Sequence, residues 1–181
     1  MKVSTGQLAR RYATALFESA IETKQVDVLS TEAHALIGVI TPELELFFSS
    51  PARSALEKRE MVQLLADKLG LSAPTSRALN LMAQNNRLSH LKLVMKKVLE
   101  KIDAHKNILR GQIRSASALS PAEISELEKA LSQSLGQKVI FECQTEPQLR
   151  AGMVVNIGTR QIDASLKTRL SNLKEFLSQG V

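Results

Sequence analysis

Residues 110–123 read Arg110-Gly111-Gln112-Ile113-Arg114-Ser115-Ala116-Ser117-Ala118-Leu119-Ser120-Pro121-Ala122-Glu123. The order of elements in the whole chain turns on this stretch. Gln112 to Ala116 alternate in the manner of a half-buried strand. Ser120, Pro121 and Glu123 then stand at the N-cap, N1 and N3 positions of a helix, the reciprocal pattern that satisfies two free backbone donors at once. A strand running into a firmly capped helix opens an α+β segment. Everything before it reads as helix.

Upstream, the spacing predicts six helices. Ser4 and Gln7 suit a cap, after which Leu8, Tyr12, Ala15 or Leu16, and Ser19 or Ala20 recur at helical intervals to about Glu22. A second helix over 25–39 carries Val28, Leu29, Leu36, Ile37 and Ile40. Thr41-Pro42 starts a short third helix with Leu44, Phe47 and Phe48, and Pro51 ends it. Ser54 with Glu57 opens a fourth, with Leu56, Met61, Leu64, Leu65 and Leu69 as its apolar members and Gly70 as its C-cap. Pro74-Thr75 begins a fifth with Leu79, Met82 and Ala83, ending at Asn85-Asn86. Ser89 caps a long sixth helix over 90–109, with Leu91, Val94, Met95, Val98, Ile102 and Leu109 on one side and lysines on the other.

Downstream, the helix behind Ser120 places Ile124, Leu127, Leu131 and Leu135 on one face, and Gly136 stops it. Lys138–Cys143 reads as a strand, Glu146-Pro147 as a turn and Met153–Ile157 as a second strand. Gly158-Thr159-Arg160 suits a hairpin into Gln161-Ile162-Asp163, and a last helix over about 165–178 carries Leu166, Leu170, Leu173 and Leu177. The expected fold is mainly α: a six-helix bundle over residues 1–110, then a small α+β domain over 111–181, with Gly111 as the hinge.

Composition bounds the function. The 181 residues are 44% apolar and 23% charged, too apolar for a disordered chain, with only five prolines and eight glycines. Aromatics are 3%, with no Trp and a single Tyr, too few for a base-stacking platform. One cysteine excludes an internal disulfide and fits a reducing compartment. The N-terminus lacks the unbroken apolar run of a signal peptide, and no stretch is long enough to span a bilayer. Nearly all of the net charge of +6 falls on residues 87–110, where Arg87, Lys92, Lys96, Lys97, Lys101, Lys106 and Arg110 face only Glu100 and Asp103.

No catalytic constellation emerges. His34, His90 and His105 have no metal-ligating companions at the spacing a metal needs. Cys143 lies in an apolar strand and is expected to be a buried small hydrophobe. Gly152 precedes a strand rather than a helix, so it suits a tight turn and not a phosphate cradle. The basic segment 87–110 leaves a helical nucleic-acid-binding protein as the alternative reading. Residues alone thus favour a binding or structural subunit over an enzyme, with no metal and no cofactor.

Several motifs carry a resemblance. Arg11-Tyr12-Ala13-Thr14-Ala15-Leu16 resembles the R-Y-A-x-A-L opening of the ATP synthase delta subunit family, whose mitochondrial members are called oligomycin-sensitivity-conferring proteins. Asn80-Leu81 through Asn85-Asn86-Arg87-Leu88 is similar to that family's fifth-helix ending, and Ser115–Ser120 to its strand-to-helix transition. Val139-Ile140-Phe141, Glu146 through Gly158 and Ile162-Asp163-Ala164-Ser165 resemble its C-terminal signature, with Ala151 where the family often has a second glycine. The resemblance runs through nearly the whole chain in order.

It implies a non-catalytic stator subunit of the proton-translocating ATP synthase, linking the F1 sector to the peripheral stalk on the cytoplasmic face of the bacterial inner membrane. It implies that the bundle binds the alpha-subunit N-terminus between the first and fifth helices. Tyr12, Ala13, Ala15, Leu16, Leu79, Met82 and Ala83 are the expected contact residues. The C-terminal domain is expected to bind the stalk b subunits, with Gly152 as a structural glycine.

Overall fold

The computed structural model describes residues 5–149, 151–158 and 160–163. The cap expected at Ser4 and the helix expected over 165–178 lie outside these residues. The chain divides into two compact units, Met1–Ile102 and Asp103–Val181, where the sequence suggested 1–110 and 111–181.

The first unit is built from α1 (Thr5–Glu22), α2 (Val26–Val39), α3 (Pro42–Ser49), α4 (Ala55–Leu69), α5 (Ala73–Gln84), a 3-10 turn (Leu88–His90) and most of α6 (Leu91–His105). Local chemistry sets most of the boundaries. The Thr41 hydroxyl accepts from the Leu44 N–H, with Pro42 in the first turn of α3. Ser54 and Glu57 form a full capping box on α4, and Gly70 ends that helix at φ 61°. The backbone N–H of Ser54 holds the Glu57 carboxyl below the usual carboxylate range.

The core gathers the inward stripes. Helix α1 contributes Ala9, Ala13, Leu16 and Ala20, and α6 contributes Leu91, Val94, Met95, Val98 and Ile102. Leu29, Ala33, Leu36, Phe48, Val62, Leu65, Leu79, Met82 and Ala83 close around them. Three leucine and valine assignments change. Leu56, Leu64 and Val28 are exposed, because the buried stripe of α4 runs through Lys58, Val62, Leu65 and Ala66, and that of α2 through Leu29, Glu32, Ala33 and Leu36. A leucine two positions off a helical stripe points away from it.

Glu32 is a buried carboxylate inside this core. It accepts hydrogen bonds from the Ser72 N–H, from the Ser72 hydroxyl at 3.0 Å and from the Thr75 hydroxyl. Ser72 itself makes no side-chain cap for α5. Glu32, from α2, thus supplies the negative oxygen that the first turn of α5 needs.

The sixth helix ends earlier than its apolar spacing suggested. Asn107 takes φ 56°, a left-handed conformation that asparagine tolerates, and the chain turns there. Leu109 therefore belongs to β1 (Ile108–Ser115), not to the helix. The second unit continues with α7 (Pro121–Leu135), β2 (Lys138–Thr145), β3 (Met153–Ile157) and β4 (Arg160–Asp163). Ser120 and Glu123 complete the expected capping box, and Gly136 ends α7 at φ 67°. The sheet order is β2-β1-β3-β4. Strand β1 pairs parallel to β2 and antiparallel to β3, and β3 pairs antiparallel to β4. The parallel pair needs a crossover, which α7 provides. The hairpin closes where Ile157 faces Arg160.

Ile124, Leu127, Leu131 and Leu135 of α7 pack on Ile113, Val139, Phe141, Val155 and Ile157. Strand β2 lies at the sheet edge, and two of its backbone donors turn toward α7. The Val139 N–H donates to Ser132 Oγ at 2.8 Å, and the Phe141 N–H donates to Glu128 Oε1 at 2.9 Å.

Gly111 is not a hinge. It sits within β1, paired with Phe141 on one side and Ile157 on the other. A Cβ there would come within 2.6 Å of Phe141 Cε1 and 2.8 Å of the Asn156 carbonyl oxygen. The Phe141 ring lies in the space that a side chain would take, and the Asn156 backbone cannot yield without breaking the β1–β3 ladder. We expect Gly111→Ala to lower the stability of the second unit by about 1–3 kcal/mol or more, read as a shifted denaturant midpoint. Glu32→Ala leaves the Ser72 and Thr75 donors without their acceptor. It should cost about 2–4 kcal/mol, with early loss of amide-exchange protection in α5.

Candidate functional site

Helices α1 and α5 pack against each other, with the alanine-rich stripe of α1 (Ala9, Ala13, Leu16, Ala20) and the Thr75, Leu79, Met82, Ala83 stripe of α5 both buried. On the outer side of that contact lies an open groove of about 310 Å³ lined by Leu8, Arg11, Tyr12, Ala15 and Leu81. Leu8, Arg11 or Tyr12, and Ala15 recur at helical spacing, so α1 presents one continuous wall. Leu81 supplies the α5 wall and is 50% exposed. A leucine that far out of the core, facing a tyrosine and an alanine, suits the apolar stripe of an incoming helix.

The expected contact residues separate into two groups. Tyr12 and Ala15 line the groove, Tyr12 half-buried and Ala15 exposed. Ala13, Leu16, Leu79, Met82 and Ala83 lie in the bundle core instead. They set the distance between α1 and α5 but offer no surface. Leu8, Arg11 and Leu81 complete the groove and were not among the expected contacts. The signal for Leu81 is its position: it falls outside the Leu79, Met82, Ala83 stripe on the same helix.

A second concavity, of about 330 Å³, lies on the sheet face away from α7. Arg110, Gly111, Gln112, Glu142, Asn156 and Gly158 line it. Four of those six residues carry polar side chains, and Arg110 is already held by Asp103, with Nη2 to Oδ1 at 3.1 Å. That hydrogen bond with Asp103 raises the guanidinium pKa above its ordinary value.

Gly152 has φ 91°, and the Ala116 N–H donates to its carbonyl at 3.2 Å. A side chain is strained in that region, so glycine lets the chain enter β3 from a tight turn. Cys143 differs from expectation. It follows Val139 and Phe141 on the same face of edge strand β2, yet it is exposed. Desolvation, with a contribution from the Glu128 carboxylate, pushes its thiol up, so it carries little thiolate. His34 and His105 are exposed and His90 is half-buried. Among the described residues no group of three or more His, Cys, Asp and Glu is placed to hold a metal ion.

The basic segment is also partly neutralised. Lys92 pairs with Glu45 of α3 at 3.1 Å, and Lys97 pairs with Glu100 at 2.6 Å. With Arg110 on Asp103, at least three of its seven cations face carboxylates among the described residues.

Comparison with known proteins agrees with this architecture. The family described as "ATP synthase delta (OSCP) subunit" matches residues 8–177. The chain is 34% identical to the ATP synthase subunit delta of Rhodobacter capsulatus, over 95% of this chain and 94% of that protein. It is 35% identical to the one from Rhizobium rhizogenes, over 95% and 93%. It is 31% identical to the one from Geotalea uraniireducens, over 98% and 100%. Its fold is similar to a chain in the cryo-EM structure of the Toxoplasma gondii mitochondrial ATP synthase hexamer. The TM-score is 0.74 at 21% identity, covering 94% of this chain and 97% of the other.

The burial pattern separates two alanines of α1. Ala13→Leu forces volume into a closed core and should cost about 1–3 kcal/mol, whereas Ala15→Trp projects into the groove and should leave the melting temperature within about 2 °C. Differential scanning calorimetry of the two variants checks this contrast.

Proposed function

The chain belongs to the ATP synthase delta (OSCP) subunit family, and we propose that its α1/α5 groove is where it takes hold of the rest of the enzyme. It is a stator subunit of ATP synthase, a structural part that joins the F1 sector to the peripheral stalk and resists rotor torque. In the proposed arrangement the groove receives the N-terminal helix of an alpha subunit. The second unit binds the ends of the stalk b subunits. The chain performs no bond-making step of its own and sits as a peripheral protein on the cytoplasmic face of the bacterial inner membrane. No described helix is long and apolar enough to cross a membrane.

The observation that supports the groove is the pairing of half-exposed Leu81 with Tyr12 and Ala15 across two packed helices. An amphipathic helix laid there buries its apolar stripe and excludes water from Leu81. A stator must hold without slipping, and a preformed groove on a closed core does so without an ordering cost in its own backbone. The nucleic-acid alternative receives no support, since the matching proteins are delta subunits and the basic segment spends at least three cations internally.

Isothermal titration of the full chain with a synthetic peptide of the alpha-subunit N-terminus should show tight one-to-one binding. Ala15→Trp, which blocks the groove, should weaken it by more than about 100-fold, equivalent to about 2.7 kcal/mol. Membranes depleted of the subunit should regain coupled ATP synthesis with the wild-type chain and not with this variant. Full binding and full recoupling by Ala15→Trp would place the contact elsewhere.

A further inference from the structure

The charge around the groove is one-sided. Residues 5–17 of α1 and 73–84 of α5 contain three arginines, Arg10, Arg11 and Arg77, and no carboxylate. Arg11 lines the groove and is exposed, with no ion pair among the described residues. Arg77 stands four residues before Leu81, on the same flank of α5, and its Nε donates to its own helix at the Ala73 carbonyl, 3.3 Å away. Elsewhere in this unit Arg53 pairs with Glu57, Lys92 with Glu45 and Lys97 with Glu100. The apolar strip thus has Arg11 on its α1 wall and Arg77 one turn before Leu81 on α5, neither in an ion pair among the described residues.

We propose that the α1/α5 groove selects an acidic amphipathic helix, with Arg11 and Arg77 reading carboxylates on its flanks. The inference rests on the groove being a helix-docking site and adds what that helix must carry. Leu8, Tyr12, Ala15 and Leu81 accept any apolar stripe of suitable spacing and so discriminate little. The arginines supply the discrimination. A carboxylate beside the stripe gains a forked, charge-assisted partner, while a basic flank meets like charge on both sides. The first acid on α1 is Glu18, one turn beyond Ala15, so the attraction is confined to the groove.

The test uses the full chain and two synthetic peptides: the alpha-subunit N-terminal segment, and the same peptide with its Asp and Glu residues changed to Asn and Gln. At low salt the R11Q/R77Q double variant should bind the native peptide about tenfold more weakly than wild type. The amide peptide should lose about as much against wild type and little more against the double variant, the signature of direct coupling. In about 0.5 M salt the difference should shrink below about twofold. If R11Q/R77Q binds as wild type while Leu81→Asp abolishes binding, the groove recognises apolar shape alone and the inference is overturned, with the docking function intact. If the wild-type chain binds neither peptide, the docking function itself fails. If Leu81→Asp binds normally, the helix docks elsewhere and both readings of the groove are overturned.

Discussion

A single buried carboxylate ties the helical unit together. Glu32 reaches from α2 to the start of α5 and accepts two hydroxyl protons and one amide proton there. Taking a carboxylate out of water costs several kcal/mol, and only a complete set of donors offsets that. The arrangement is thus all-or-none, and it fixes where α5 begins and how it is rotated. Rotation is the consequential quantity. With Thr75 facing inward, Leu79, Met82 and Ala83 follow into the core, and Leu81 is left on the outside beside α1. The groove is a by-product of that rotation.

Much of the fold was legible because the signals that specify it are local. Thr41-Pro42, Ser54 with Glu57, Ser120-Pro121 with Glu123, Gly70 and Gly136 all act within one helical turn, and each does in the structure what its spacing implied. The misplacements have non-local or conformational causes. The sixth helix stops because Asn107 takes a left-handed turn, although the apolar spacing continues to Leu109. Gly111 looks like a hinge in a linear reading and becomes a packing position only when the Phe141 ring is laid over it. Glu32 carries no signal at all, since its partners lie about 40 residues away.

The candidate site was half legible for a similar reason. Periodicity shows that Tyr12, Ala13, Ala15 and Leu16 lie on a helix, but not which of the two flanks meets solvent. The structure assigns Ala13 and Leu16 to the core and leaves Tyr12 and Ala15 lining the groove. The family resemblance pointed to α1 and α5, and the structure has an open groove lined by residues of both. The choice of residues within them needed the tertiary packing, because burial is a property of the neighbours.

The treatment of strand β2 bears on how the second unit can meet other chains. Ser132 and Glu128 already occupy two of the outward amides of that strand. Along this border an extended segment from another molecule finds donors that are spoken for, so augmentation of the sheet there is disfavoured, as is pairing between two copies. Whatever the second unit grips on that flank, it must grip through side chains. The same satisfied donors keep two copies of this chain from joining edge to edge along β2.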